Sequence, residues 1–207
     1  MKEFENKKVI LWDFDGVILD SMDIREKGFR EVLSGYPPEQ VEKLLQYHHK
    51  NKGLSRYVKF RYFMKTVLRQ EVNEEKVEKW TKAYSEIMRK DLTSRDRLIR
   101  ETLDFIKNNH SRYEMHVVSG SDGDELRFLC RKLDLSPYFK SIQGSPEPKI
   151  SLVTNTLRNF GYENSEVCLI GDSINDYEAA AENNIDFYGY NDPKLRSKGL
   201  NYIHSFA

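Results

Sequence analysis

The chain has 207 residues, and its 33 Lys and Arg balance its 33 Asp and Glu, so it lacks the global basic field that nucleic acid attracts. With 39% hydrophobic and 32% charged residues it suits one large globular domain, or a core plus a small domain, with much exposed helix. No apolar stretch approaches the roughly 20 residues of a membrane helix, and Met1 to Lys8 lacks the apolar core of a secretory signal, so a cytoplasmic protein off the membrane is expected.

The apolar run Val9-Ile10-Leu11-Trp12 predicts a buried strand that ends in Asp13-Phe14-Asp15-Gly16-Val17. Helical spacing then holds from Met22 to about Leu92. Four apolar stripes carry it: Ile24, Phe29, Val32 and Leu33; Val41, Leu44, Leu45 and Tyr47; Tyr57, Val58, Phe60, Phe63, Met64, Val67 and Leu68; and Val77, Trp80, Tyr84, Ile87 and Met88. Pro37-Pro38 and Asn51-Lys52-Gly53 punctuate the first three, and Asn73 before Glu74-Glu75 reads as the N-cap of the fourth. Four amphipathic helices without a strand between them predict a small helical bundle.

Beyond Ser94 helices and strands alternate: a helix over 97–108, a strand over 113–118 ending at Ser119-Gly120, a helix over 124–133, a strand over 139–143, a helix over 150–160 stopped by Gly161, a strand over 167–170, a helix over 175–183, and a final strand over 186–190. The predicted fold is therefore α/β: a Rossmann-like, doubly wound, mostly parallel sheet with an inserted helical-bundle cap. Residues 1–20 and 93–207 would form the catalytic core and residues 21–92 the cap. Cys130 and Cys168 lie in apolar patterns and read as buried free thiols, which fits a reducing compartment.

Ligands of such sheets bind beyond the carboxyl ends of the strands, and every chemically suggestive residue falls there. Asp13 and Asp15 read either as a solvated turn or as a working pair, in which Asp13 attacks phosphorus and Asp15 exchanges protons with the leaving oxygen and then with water. In that pair one acid holds a proton while the other attacks. Asp172, after Gly171, is either a helix N-cap or the second acid of a magnesium site. Hard Mg²⁺ favours oxygen ligands, and the ligands assigned are the side chains of Asp13 and Asp172 and the carbonyl of Asp15, with Ser173 and Asp176 supporting them. Gly171 would let the chain turn out of its strand. The Ser119 hydroxyl and Gly120 amide are placed to hold a phosphoryl oxygen. Lys149, at a helix start where the dipole disfavours a cation, is assigned to neutralise Asp13 and phosphate, with Lys140 as the competing lysine.

Asp13-x-Asp15-Gly-Val, Ser119, Lys149 and Gly171-Asp172-Ser173-x-x-Asp176 resemble, in this order, the four motifs of the haloacid dehalogenase superfamily. The inserted helices resemble the cap of its β-phosphoglucomutase and phosphoglycolate phosphatase branch. That resemblance implies a Rossmann-like core, Mg²⁺ and an aspartyl-phosphate. Asp15, which true dehalogenases lack, disfavours halogenated acids. Pro146-Glu147-Pro148-Lys149-Ile150 departs from the more usual Lys-Pro-x-Pro. Lys52-Gly53-Leu54-Ser55-Arg56 resembles a substrate-specificity loop, in which Arg56 either clamps a second anionic group of the substrate or lies in solvent. Arg25, a candidate for binding substrate, stands where the mutase has a cap-side histidine, which favours hydrolysis. His48 and His49 are assigned to the helix C-terminal dipole.

The expected function is a Mg²⁺-dependent phosphatase, a monomer, acting on a small phosphorylated metabolite such as a sugar phosphate. A phosphosugar mutase is the enzymatic alternative. A phospho-receiver or a relic binding domain is the non-enzymatic one.

Overall fold

Val9–Trp12 (β1) is buried along its whole length and sits inside the sheet. Its side chains alternate between two apolar clusters: Ile10 and Trp12 enter one, Val9 and Leu11 the other. Both faces are thus covered, and that is why the run is continuously apolar rather than alternating. The structure, a computed structural model, describes residues 6–206. The part of the signal-sequence reading that falls on residues 1–5 lies outside them.

After β1 come Met22–Val32 (α1), Pro38–Lys50 (α2), Arg56–Tyr62 (α3) and Glu74–Asp91 (α4), with a π-helical turn, Phe63–Val67, continuing α3. Pro37 and Pro38 open α2, where a missing amide costs nothing. The Asn73 side chain caps α4 by accepting from the Lys76 amide at 2.9 Å. Phe29, Phe60, Phe63, Trp80 and Tyr84 stack edge-on or tilted into one aromatic core. The third stripe needs correction. Phe60, Phe63 and Met64 are buried as expected, but Arg56 and Lys59 share their face at three- and four-residue spacing, and Val58 is exposed. Two cations lie on a face where only apolar side chains were expected.

The remaining chain forms Arg100–Asn109 (α5), Glu114–Asp122 (β2), Gly123–Lys132 (α6), Ser141–Ser145 (β3), Lys149–Phe160 (α7), Val167–Gly171 (β4), Ile174–Glu182 (α8), Asp186–Tyr190 (β5), Pro193–Arg196 (α9) and Tyr202–Ile203 (β6). Gly161 ends α7 in the left-handed region, φ 69°. The helix expected from residue 97 begins as a 3-10 turn, Arg95–Arg97, and β3 lies slightly later than expected. The strand over 186–190 is not the last, because β6 pairs beside it. Two residues are too short to show a strand period.

The six strands are all parallel in the order β3-β2-β1-β4-β5-β6. The chain winds outward from β1 through β2 to β3, then returns to β4 on its other side. The reversal sits between β1 and β4, the topological switch point where such sheets open a crevice. Trp12 pairs with Val117 on one side and Ile170 on the other. This register sets the residues that follow, Asp13, Ser119 and Asp172, at neighbouring strand ends.

Candidate active site

Asp13 continues the ladder, its amide donating to the Ile170 carbonyl at 2.9 Å. Carboxylate oxygens of Asp13, Asp172 and Asp176, all buried, lie within 4.8 Å of one another. Two glycines make this approach sterically open. At Gly16, whose φ is +78°, a Cβ would come within 2.4 Å of Asp172 Oδ2. At Gly171 a Cβ would come within 2.4 Å of the Asp176 side chain. Gly171 itself is not in the left-handed region, where Gly16, Gly161 and Gly199 are. Its role is therefore space for Asp176 rather than the sharp turn expected of it.

Lys149, in the first turn of α7, places Nζ 2.8 Å from Asp13 Oδ1 and also donates to Asp176 Oδ1. Burial opposes its charge, but Asp13 and Asp176 hold its pKa above the ordinary lysine value. Lys140 is exposed and pairs with Glu114 instead. Asp176 stands nearer the centre than expected: one oxygen takes the Ser173 amide and hydroxyl, at 3.0 and 2.6 Å, and the other faces Lys149. Ser173, not Asp172, caps α8.

Asp13 and Asp176 share Lys149, and Asp172 has only Lys52, whose Nζ lies 3.5 Å away. That is too little positive charge. Burial, then repulsion from Asp176, pushes Asp13 up to about 7 despite Lys149. Burial, then Asp13 and Asp176, pushes Asp172 up to about 8. A small divalent cation with oxygen preference fits this donor set and would relieve its repulsion.

Asp15 faces the other way. Arg25 donates to both of its oxygens, Nε to Oδ1 at 3.0 Å and Nη2 to Oδ2 at 3.1 Å, and the Ser21 and Ser121 hydroxyls add two more bonds. Burial works against ionisation, but Arg25 and these bonds lower its pKa. The two acids are thus driven apart with a sign opposite to expectation: Asp13 is the one pushed towards protonation. Burial raises Asp13, and Arg25 with the two serine hydroxyls lowers Asp15.

Ser119 is buried, and its Oγ accepts from the Ser121 amide at 3.2 Å. Ser119, Gly120, Asp13, Asp15 and Asp172 line a cavity of about 40 Å³ together with Arg25, Arg56, Lys52, Lys59 and His48 from the inserted helices and loop. This holds a few waters and no sugar phosphate. The lining is closed above by the 51–55 loop, which packs so tightly that a Cβ on Gly53 would meet Ser173 Oγ at 2.7 Å.

Arg56 is 4% exposed, so the solvent reading fails. It donates to Glu125 and to Ser85 Oγ (2.8 Å) and lies over the Tyr84 ring. Arg25 donates to the other Glu125 oxygen at 2.6 Å. His48 is also corrected. Burial, then Lys59, pushes its pKa down to about 2, so it is neutral and offers nothing to a helix dipole. His49 pairs with Glu26 at 3.2 Å.

Sequence reasoning missed Ser21, Ser121, Glu125 and Lys59, and named Lys52 only as part of a loop resemblance. For Lys59 a signal existed, its three-residue spacing from Arg56 on the buried face. Glu125 is 100 residues from Arg25 and 69 from Arg56, and no local pattern connects them.

A family model described as haloacid dehalogenase-like hydrolase matches residues 10–190. The chain belongs to that family. It is an enzyme, a phosphoric monoester hydrolase of the haloacid dehalogenase-like type. A "phosphorylated carbohydrates phosphatase" of Thermotoga maritima is 24% identical over 198 residues, covering 88% of this chain and 84% of that protein. Among solved structures, a predicted phosphatase from Clostridium acetobutylicum matches with TM-score 0.75 at 18% identity, covering 95% of this chain and 93% of the other. CbbY from Rhodobacter sphaeroides in complex with phosphate matches with TM-score 0.74 at 17% identity, covering 97% and 95%. These structural likenesses carry the fold.

Proposed function

We propose that this hydrolase is a Mg²⁺-dependent phosphatase that cleaves a small phosphorylated metabolite, a sugar phosphate or related acid, through an aspartyl-phosphate on Asp13. The observation that carries the proposal is the convergence of Asp13, Asp172 and Asp176 within 4.8 Å, with Lys149 on two of them. The named activity of the Thermotoga maritima relative supports the substrate class.

Bound Mg²⁺, held by Asp13, Asp172 and the Asp15 carbonyl with Asp176 and Ser173 in support, would neutralise the acids and the phosphate. An Asp13 oxygen bonds to phosphorus as the ester oxygen leaves with a proton from Asp15. Water then bonds to phosphorus, the Asp13–phosphorus bond breaks, and Asp15 takes the proton. Lys149 orients Asp13, and the Ser119 hydroxyl and Gly120 amide hold a phosphoryl oxygen. Arg25 keeps Asp15 ionised, the form needed in the second step. Protonation for the first step requires Arg25 to withdraw.

Residues 21–92 act as a cap. The cavity of about 40 Å³ is its closed state, so it opens to admit substrate and closes to exclude bulk water. We assign the protein to the cytoplasm. Among the described residues no helix is long and apolar enough to cross a membrane, and both cysteines are buried and unpaired. A panel of phosphorylated metabolites with Mg²⁺ tests the function. Release of inorganic phosphate is the expected result, and transfer to a bisphosphate seen by phosphorus NMR would make the protein a mutase instead.

A further inference from the structure

The inserted helices and the 51–55 loop bring four cations to the cavity, Arg25, Lys52, Arg56 and Lys59, and Lys52 reaches Asp172 and Asp192. Both arginines are matched. Arg25 bridges Asp15 and Glu125, and Arg56 takes the second oxygen of Glu125. Arg56, the residue expected to clamp a second anionic group, is thereby already neutralised.

Lys59 is not matched. It is 4% exposed, and its ammonium donates to the Lys52 carbonyl at 3.0 Å, with no carboxylate partner among the described residues. A buried ammonium is costly unless paired. Burial, partly offset by Asp15 and deepened by Arg25 and Arg56, pulls its pKa down to about 7. His48 adds an independent observation. It is 3% exposed, lines the same cavity, and neither ring nitrogen has a hydrogen-bond partner. A neutral imidazole carries one donor and one acceptor, and both are left for a ligand.

We propose that Lys59, with His48 beside it, is the seat for a second anionic group, carboxylate or phosphate, on the leaving portion of the substrate. The preferred substrates are then phosphate monoesters that carry another negative charge. The inference rests on the phosphatase reading for the reaction at Asp13, but the seat is a binding property with its own readout. The unpaired Lys59 ammonium favours an anion over a neutral sugar, because an incoming anion completes its pairing and a hydroxyl does not.

Two matched pairs test it on the full chain with Mg²⁺: 3-phosphoglycerate against glycerol 3-phosphate, and glucose 1,6-bisphosphate against glucose 6-phosphate. In at least one pair kcat/KM favours the more charged member by about tenfold or more, the scale of one charge-assisted hydrogen bond. The pair that shows the preference separates carboxylate from phosphate. Lys59→Met, which keeps the length of the stem in a buried position, brings that ratio towards one, and Lys59→Arg retains it. Wild-type ratios near one in both pairs overturn the proposal without any variant, as does a preference that survives in folded Lys59→Met. Calorimetric binding of the same four compounds to Asp13→Asn protein needs no turnover. A preference in binding, with no turnover by the wild type, would keep the seat and overturn the phosphatase reading. Turnover without preference would do the reverse.

Discussion

The Gly53 carbonyl lies over Gly120 so closely that a Cβ on Gly120 would meet its oxygen at 2.1 Å. One residue belongs to the loop before α3 and the other to the carboxyl end of β2. This contact closes the cavity over Asp13, and a backbone atom cannot swing aside as a side-chain tip would.

Gly120→Ala therefore holds the inserted helices off the sheet by roughly an ångström, a displacement that costs about 100-fold in rate when reacting groups are misplaced. The expected result is a fall of that order in kcat/KM on a small phosphorylated metabolite, with an unchanged circular dichroism spectrum. Undiminished turnover would show that this closure is not needed.

Glu125, fully buried, receives Arg25 and Arg56. Burial opposes its charge, and the two guanidinium groups hold its pKa down. Glu125→Gln leaves one guanidinium without its charge partner. Removing one member of a buried ion group costs about 3–5 kcal/mol, so the midpoint of urea unfolding should drop accordingly. A loss below about 1 kcal/mol, the scale of an exposed pair, would contradict the arrangement.

Asp13 and Asp172 have folded pKa values raised from 3.8 to about 7 and about 8. In the metal-free protein their contribution to stability is full below the ordinary carboxylate range and is lost as pH rises through these values. Mg²⁺ binds the ionised acids and competes with their protons. The rise in Tm caused by Mg²⁺ should therefore be small near about pH 5.5 and grow through about pH 8. A rise that is flat with pH would place the cation elsewhere.

The sheet and the acids at its strand ends were legible because both are local. A run such as Val9 to Trp12 declares a strand by composition, and Asp13, Lys149 and Asp172 occupy the turns that follow their elements or the first turn after a loop. The register of β1 between β2 and β4 then does the rest. The charge partners across the cavity were not legible. Arg25 meets Asp15 ten residues away, yet it also meets Glu125 across 100 residues. Only the packing of α1 over the start of α6 brings Arg25 to Glu125. Lys59 was missed for a related reason: a helical stripe reports which face is buried, but a reading that admits only apolar residues overlooks cations that line a cavity. The strand β6 was missed because two residues give no period.

Acid-quench mass spectrometry during turnover reads directly whether Asp13 becomes phosphorylated. One added phosphoryl group is expected on the peptide that contains Asp13, and neither that adduct nor phosphate release in Asp13→Asn. Substantial hydrolysis by purified Asp13→Asn protein, or an adduct mapped to another residue, would contradict a nucleophilic role for Asp13.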